Sequence, residues 1–160
     1  WFAGRQDLDV LDFGCGNGGN IPSLLRHLPL KRLHGTDISQ VSLDRARQIY
    51  QDEKISFGSS QALPVDEFDL VYCNGVFHHI PTHLRDSALA TIHRTLKPGG
   101  LLALFENNPF NPGTRWIMSR CSFDRDACLL LPGETARRGK EQGFKVLATR
   151  YLFFFLEIFY

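Results

Sequence analysis

The most informative segment of the chain is Val10-Leu11-Asp12-Phe13-Gly14-Cys15-Gly16-Asn17-Gly18-Gly19. Residues 9–13 have the apolar character of a short buried strand, and the glycines that follow indicate a turn. A helix is predicted directly after the turn, with Asn20 as its N-cap, Pro22 in its first turn and an apolar face formed by Ile21, Leu24, Leu25 and Leu28. A strand, a glycine turn and a helix in this order bring backbone N–H groups to the edge of a sheet where α/β folds bind their ligands.

Strand and helix patterns alternate through the rest of the chain. Further strands are predicted at residues 32–36, 55–57, 68–73 and 101–105. Residues 144–155 are predicted to form one long strand or two. Helices are predicted from about residue 39 to 49, along the apolar stripe of residues 84–96 and at residues 134–142, with a loop-rich segment at 106–133. Because the strands are apolar without alternation, we predict a Rossmann-like, doubly wound α/β fold, in which a mostly parallel sheet has helices on both faces and an antiparallel C-terminal edge.

Length and composition indicate a single globular domain over residues 1–160. Hydrophobic residues make up 43% and charged residues 22% of the chain, and the net charge of +1 favours neither a nucleic acid nor a membrane as partner. No signal peptide is recognisable and the apolar run Tyr151–Tyr160 is too short to span a bilayer, so we expect a cytoplasmic protein. Both ends are apolar, which predicts a domain truncated at both ends and leaves a homodimer as one way to cover the exposed surface.

No metal site is predicted. The four cysteines form no CxxC pair and are expected to be reduced, with a disulfide between Cys121 and Cys128 as the lesser alternative. His78, His79 and His83 resemble a metal cluster in sequence. Pro81, however, interrupts any helix that would place His79 and His83 on one face.

The glycine turn alone is compatible with two kinds of cofactor. Gly14, Gly16 and Gly19 satisfy the dinucleotide fingerprint, and Asp37 follows at about the right distance for a ribose, so an NAD(P)-dependent oxidoreductase is one alternative. Asp12 argues against it, because a carboxylate at the mouth of the first strand would repel a pyrophosphate. The same carboxylate suits the ammonium group of a zwitterionic amino acid.

Residues 10–18 closely resemble motif I of the class I S-adenosylmethionine-dependent methyltransferases. Four further segments resemble later motifs of that family in the right order: Gly35-Thr36-Asp37-Ile38-Ser39, Leu63-Pro64 with Phe68-Asp69-Leu70-Val71, Phe77-His78-His79-Ile80, and Leu96-Lys97-Pro98-Gly99-Gly100. The resemblance implies a Rossmann-like fold, S-adenosylmethionine as cofactor and methyl transfer as activity. Since fold and cofactor site do not guarantee chemistry, a non-catalytic cofactor-binding relative is a second alternative.

The resemblance also implies which residues contact the cofactor. The methionine half would lie against Asp12, Gly14, Cys15, Gly16, Asn17 and Gly18, and against the backbone of Asn74. Asp37 would accept both ribose hydroxyls, and Ile38 would pack on the adenine. The family often has an aspartate that accepts from the adenine amino group where this chain has Ser59, so this contact is assigned to Ser59, Ser60 or a backbone group.

On the acceptor side, His78, His79 and Glu106 are the candidate catalytic residues. They follow the fourth and fifth predicted strands, and a histidine has a pKa suited to removing a proton near neutral pH. The alternative for either histidine is a capping or packing role. Arg115 and Trp116 could line an acceptor pocket, with a buried structural tryptophan as the alternative. The sequence therefore predicts methyl transfer to an oxygen or carbon atom of a small molecule.

Overall fold

The computed structural model describes residues 4–121, 124 and 127–151. These residues belong to two compact units. The sheet unit extends up to Val76 and also includes Ala90–Phe105, whereas the second unit contains Phe77–Leu89 and the described residues from Glu106 onward.

The sheet unit is built on five parallel strands. Its elements are β1 (Leu8–Phe13), α1 (Ile21–His27), β2 (Leu30–Asp37), α2 (Gln40–Ile49), β3 (Ile55–Ser59), β4 (Phe68–Asn74), the second half of α3 (Arg85–Thr95) and β5 (Leu96–Phe105). The strand order is β3-β2-β1-β4-β5, and every neighbouring pair is parallel. The chain therefore builds outward in both directions from β1 and β4, and doubly wound sheets bind ligands where this direction changes.

β1 lies at the centre of the sheet and positions the glycine turn. All six of its residues are buried, which means that both faces of the sheet are covered at this strand. Val10 pairs with Leu33 of β2 and with Leu70 of β4. Two residues later, Asp12 pairs with Gly35 and Tyr72, so the side chain of Asp12 belongs to the carboxyl end of the sheet. The predicted parallel, Rossmann-like sheet is confirmed.

Some local predictions differ from the structure. β5 begins at Leu96 rather than at residue 101, because the Pro98-Gly99-Gly100 turn is accommodated within the strand by an irregular register opposite β4. Asn20 occupies the N-cap position of α1 but makes no capping hydrogen bond. Its Oδ1 instead accepts a hydrogen bond from Nδ2 of Asn74, at 3.2 Å, so the amide connects the glycine turn to the end of β4.

The second unit consists of short elements. Two 3₁₀ turns (Phe77–His79 and Thr82–Leu84) lead into the first half of α3, and α4 (Pro112–Met118) and α5 (Pro132–Glu141) follow later in the chain. The loop-rich prediction for residues 106–133 missed α4. This helix has a clear start, because the side chain of Asn111 accepts hydrogen bonds from the N–H groups of Gly113 and Thr114 and Pro112 occupies its first turn.

The predicted antiparallel C-terminal edge does not form part of the described sheet. Residues 144–151 have no strand, and residues 152–160, which contain the rest of that predicted strand and most of the aromatic run, lie outside the described residues. Among the described residues, no helix combines the length and the apolar character that crossing a membrane requires. Cys121 and Cys128 are free thiols, so the alternative of a disulfide between them is not realised.

Candidate functional site

The glycine turn after β1 requires glycine for steric as well as conformational reasons. Gly14 has a φ of 78°, and an added Cβ there would lie 2.4 Å from Cγ2 of Val76. Gly18 has a φ of 87°, and its Cβ would lie 2.4 Å from the ring of Tyr50. At Gly16 an added Cβ would meet no heavy atom of the described residues within 4 Å. The turn is therefore closely packed at both ends and open at its middle.

The backbone donors of this turn are largely used inside the protein. The N–H groups of Gly14 and Cys15 both donate to the carbonyl of Thr36, at 2.7 and 2.9 Å, and the N–H of Gly18 donates to the carbonyl of Cys15. The N–H of Gly16 donates to Oδ2 of Asp37, at 2.8 Å. A pyrophosphate needs such N–H groups to be available. These four N–H groups are therefore not presented to a ligand, which differs from the expectation for the turn.

Asp12 is the most unusual side chain of the sheet unit. It is fully buried, and neither carboxylate oxygen has a hydrogen-bond partner among the described residues. Burial, with a smaller contribution from the negative charge of Asp37, raises the pKa of Asp12 from 3.8 to about 7. A buried carboxylate without a partner is unfavourable unless something else compensates it. This group fits a cationic ligand atom that would supply the missing hydrogen bonds.

Asp37, at the end of β2, is held in a fixed position by two backbone groups. Its Oδ2 accepts from the N–H of Gly16 and its Oδ1 accepts from the N–H of Ser39, each at 2.8 Å. Each carboxylate oxygen has a further lone pair, so Asp37 can still accept from two hydroxyl groups. The next side chain, Ile38, is 95% exposed, which leaves its apolar surface available to a flat ring.

The remaining predicted cofactor residues have clear local surroundings. Cys15 is buried, and burial raises its pKa to about 12, so the thiol stays protonated. The hydroxyl oxygen of Ser59 accepts from the N–H of Gln61 at the start of a 3₁₀ turn (Ser60–Ala62). All eleven predicted cofactor residues belong to the sheet unit: Asp12, Gly14, Cys15, Gly16, Asn17, Gly18, Asp37, Ile38, Ser59, Ser60 and Asn74.

The three candidate catalytic residues belong to the second unit, and the structure brings them into one cluster with Asp124. Glu106 accepts from the backbone N–H of Phe77, at 2.7 Å, and bonds Nδ1 of His78, at 2.6 Å. Oδ1 of Asp124 lies 3.6 Å from Nε2 of both His78 and His79. The two imidazole rings are 4.0 Å apart between centroids. We call His78, His79, Glu106 and Asp124 the imidazole cluster.

The two histidines titrate in opposite directions. Burial alone would lower the pKa of His78, but the hydrogen bond to Glu106 and the charges of Glu106 and Asp124 together raise it above its ordinary value. The pKa of His79 is lowered, first by burial and then by the positive charge of His78. His78 thus favours the charged form and His79 the neutral form.

The sequence did not point to Asp124, because nothing in a loop segment distinguishes one aspartate from another. It also did not point to Arg85, a buried arginine whose Nε donates to the carbonyl of Ile80 and whose Nη2 donates to that of Cys128. The alternative of a buried Trp116 is wrong. Its side chain is 59% exposed, and the guanidinium of Arg120 lies 4.1 Å from its ring centroid.

Comparison with known proteins assigns the family. Residues 10–100 match the model of the family described as "Methyltransferase domain". The chain belongs to this family. The assignment confirms the resemblance to class I S-adenosylmethionine-dependent methyltransferases and the cofactor that it implied.

Individual relatives agree with the assignment. An uncharacterized methyltransferase of Schizosaccharomyces pombe is 30% identical over 129 residues, covering 79% of this chain and 49% of that protein. The trans-aconitate 2-methyltransferase of Variovorax paradoxus is 30% identical over 136 residues, covering 77% of this chain and 52% of that protein. The chain thus spans about half the length of these relatives.

A solved structure has the same fold. It is the protein described as "the putative methyltransferase" in its complex with the Haloferax volcanii Trm112 methyltransferase activator, with a TM-score of 0.73. The identity is 24%, and the match covers 87% of this chain and 62% of that one. At this identity the likeness shows the fold alone.

Proposed function

We propose that the protein transfers the methyl group of S-adenosylmethionine to an oxygen or carbon atom of a small-molecule acceptor. The observation that carries the proposal is Asp12, a fully buried carboxylate without a described hydrogen-bond partner. It lies beside a turn in which four N–H groups, those of Gly14, Cys15, Gly16 and Gly18, donate within the protein. The use of these four N–H groups within the protein disfavours a dinucleotide phosphate, and Asp12 offers the anion that an amino-acid ammonium needs. When bound, the cofactor supplies a methyl group on a sulfonium sulfur, from which a nucleophile can displace it.

Each cofactor residue has a role in this proposal. Asp12 accepts from the ammonium group, and the methionine half lies along Gly14, Cys15, Gly16, Asn17 and Gly18 and along the backbone of Asn74. Asp37 accepts from the ribose hydroxyls in addition to its two backbone donors. Ile38 packs on the adenine, and Ser59 or Ser60 accepts from the adenine amino group. The Ser59 hydroxyl keeps one lone pair for this bond, since the N–H of Gln61 uses the other.

The imidazole cluster supplies the proton acceptor in this proposal. His79 is the best candidate for the base, because its lowered pKa keeps the ring neutral near pH 7. His78 and Glu106 act as positioning residues: the 2.6 Å bond between them fixes the His78 ring beside the ring of His79. For an acceptor that is already ionised, such as a carboxylate, no base is needed and these residues only orient it.

The acceptor class is proposed from the relatives. Several proteins that match over about a third to a half of their length are named trans-aconitate 2-methyltransferases, which favours a carboxylate oxygen as the methylated atom.

We also propose a cytoplasmic location, no nucleic-acid or membrane partner, and either a homodimer or an antiparallel strand from the C-terminal residues at the sheet edge beside β5. The net charge of +1 supports the absence of a nucleic-acid or membrane partner. The edge of β5 away from β4 pairs with no described strand, which supports a homodimer or a further strand there.

Calorimetry with S-adenosylhomocysteine and NAD tests the proposal. The protein should bind the first and show no measurable affinity for the second, and incubation with radiolabelled S-adenosylmethionine and a panel of polycarboxylates should label the acceptor. Binding of NAD without S-adenosylhomocysteine would overturn the cofactor assignment. Binding of S-adenosylhomocysteine with no transfer to any acceptor would instead support a non-catalytic relative.

A further inference from the structure

We propose that His78, His79 and Asp124 form a binding site for one divalent transition-metal ion. One ligand atom from each of these three side chains lies within 4.8 Å of the other two. Two imidazole nitrogens and one carboxylate oxygen are a ligand set that zinc, iron(II), manganese and cobalt accept in proteins. The sequence predicted no metal site, because Pro81 keeps His83 from sharing a helix face with His79, and the residue beside the two histidines in the structure is Asp124.

The spacing of the ligand atoms suits an ion rather than a hydrogen bond. Oδ1 of Asp124 lies at the same distance, 3.6 Å, from Nε2 of His78 and from Nε2 of His79. That distance is too long for a hydrogen bond, which would bring the atoms to about 2.8 Å. Ligands around a tetrahedral zinc ion, each about 2.0–2.1 Å from the metal, lie about 3.3–3.4 Å apart. The two separations from Asp124 need to shorten by only a few tenths of an ångström, and the ligand nitrogens of His78 and His79 lie within 4.8 Å of each other.

Hydrogen bonds behind the cluster already orient His78. Glu106 bonds Nδ1, which directs Nε2 toward Asp124, and a carboxylate behind a histidine is the usual support of a metal-binding imidazole. The carbonyl of His78 accepts from the N–H of Cys128, at 2.8 Å. Arg85 in turn bonds the carbonyl of Cys128, at 2.6 Å. The backbone of His78 is therefore held by a hydrogen bond before an ion arrives.

The site is also accessible. Asp124 lines a cavity of about 380 Å³ together with Arg115, Ser119 and Arg120. The side chain of His79 is 29% exposed and that of Asp124 is 15% exposed. Three protein ligands leave at least one coordination position for water or for another oxygen ligand. Arg115 and Arg120 line the cavity beside Asp124 and would attract an anion such as a carboxylate toward it.

The role of such a metal in methyl transfer rests on the proposed function, whereas metal binding itself does not. With Nε2 of His79 bound to a metal, that nitrogen cannot act as the proton acceptor. The metal would then orient an acceptor carboxylate or hydroxyl oxygen, and the base assigned above would apply to the metal-free protein. Metal binding and cofactor binding can be measured separately on the same sample.

The experiment uses the whole chain without a histidine tag, stripped with a chelator and titrated with Co²⁺ and then Zn²⁺. The unaltered protein should bind one equivalent of Co²⁺ and develop visible ligand-field absorption, which Zn²⁺ should displace. Glu106→Gln should weaken binding by about 10- to 100-fold, the usual effect of removing the group behind a ligand, and His79→Ala and Asp124→Ala should weaken it more. His83→Ala is the matched control, since this exposed histidine lies outside the cluster, and it should bind as the unaltered protein does.

Several results would overturn the metal site. One is the absence of stoichiometric Co²⁺ binding by the unaltered protein. Another is Co²⁺ binding by the His79 and Asp124 variants that is as tight as that of the unaltered protein. A third is a loss of Co²⁺ binding in the His83 control as large as the loss in those variants. Asp124→Asn, which keeps the shape of the side chain, replaces Asp124→Ala if thermal unfolding shows that the alanine variant is not folded. S-adenosylhomocysteine binding without metal binding overturns this inference alone, whereas metal binding without S-adenosylhomocysteine binding overturns the proposed function alone.

Discussion

Replacing Asp12 with asparagine should make the protein without cofactor less sensitive to pH while weakening cofactor binding. The native protein holds a proton on Asp12 up to about pH 7, whereas the ordinary value that applies to the unfolded chain is 3.8. Between these two values the native state binds more protons than the unfolded state, so the free energy of unfolding falls as pH rises. The two pKa values differ by about three, and each pKa unit corresponds to about 1.4 kcal/mol, so complete ionisation costs about 4 kcal/mol.

Urea unfolding without cofactor at pH 5 and pH 8 measures this effect. From pH 5 up to the pKa of Asp12 at about 7, the free energy of unfolding of the unaltered protein should fall by about 1.4 kcal/mol per pH unit. Asp12 should therefore lower this free energy by about 3 kcal/mol between pH 5 and pH 8. The asparagine of Asp12→Asn has the same side-chain shape and does not titrate. The free energy of unfolding of this variant should therefore lack the fall of about 3 kcal/mol that Asp12 causes between pH 5 and pH 8. Calorimetry at pH 8 should show S-adenosylhomocysteine binding weakened by about 10- to 100-fold, because the amide lacks the negative charge that pairs with the ammonium.

Asp9→Asn is the matched control on the same strand. Burial acts to raise the pKa of Asp9, but hydrogen bonds from Lys97 and Arg32 lower it below its ordinary value. Its stabilising contribution is therefore present above about pH 4 and is lost only at lower pH. Asp9→Asn should reduce stability by a similar amount at pH 5 and pH 8. An Asp12 variant with the same pH dependence as the unaltered protein would refute the reasoning.

Three further predictions follow from the two candidate sites. Asp37→Ala should weaken S-adenosylhomocysteine binding by about 1.5–3 kcal/mol in calorimetry. Asp44→Ala, on the exposed side of α2, is the control and should leave this affinity unchanged. An Asp37 variant that binds as tightly as the unaltered protein would exclude Asp37 from the ribose site. His79→Ala in metal-free protein should lower the methyl-transfer rate by about 10²- to 10⁴-fold at unchanged cofactor affinity. Because the pKa of His79 is lowered, the rate of the unaltered protein should fall with acidification only below the ordinary histidine pKa. A near-native rate in the His79 variant would leave this residue without a catalytic role. Glu106→Gln should lower the pKa of His78, followed by NMR, because burial then acts without the opposing carboxylate; an unmoved midpoint would contradict the observed pairing.

The sheet unit could be predicted from the sequence because its signals are local. Asp12 and the glycines lie next to each other in the chain, and apolar strands such as residues 10–13 and 68–71 allow few arrangements other than a parallel sheet. The ends of β2 and β5 could not be predicted, since pairing with a neighbouring strand extends a strand beyond its own apolar residues. The state of the N–H groups in the glycine turn also depends on β2, through the carbonyl of Thr36 and the carboxylate of Asp37.

The second unit was less predictable because its functional contacts join distant residues through loops. His78 and Glu106 were both found as polar groups that follow strands, but their 2.6 Å bond depends on the two loops meeting. Asp124 has no local pattern that distinguishes it from other surface aspartates. The helix α4 could have been found, since Asn111 and Pro112 are a recognisable start that the surrounding loop-like composition concealed.

The bonds of Asp37 have a consequence for the kinetics of cofactor binding. Because this carboxylate already holds the N–H groups of Gly16 and Ser39, the two segments that follow β1 and β2 keep their relative position without a ligand. No conformational entropy has to be lost in ordering them when the cofactor arrives. In stopped-flow measurements the observed association rate should rise linearly with cofactor concentration as a single phase, without the plateau that a slow loop rearrangement produces. Asp37→Ala should introduce that plateau, so this residue would set the speed of cofactor capture as well as its strength.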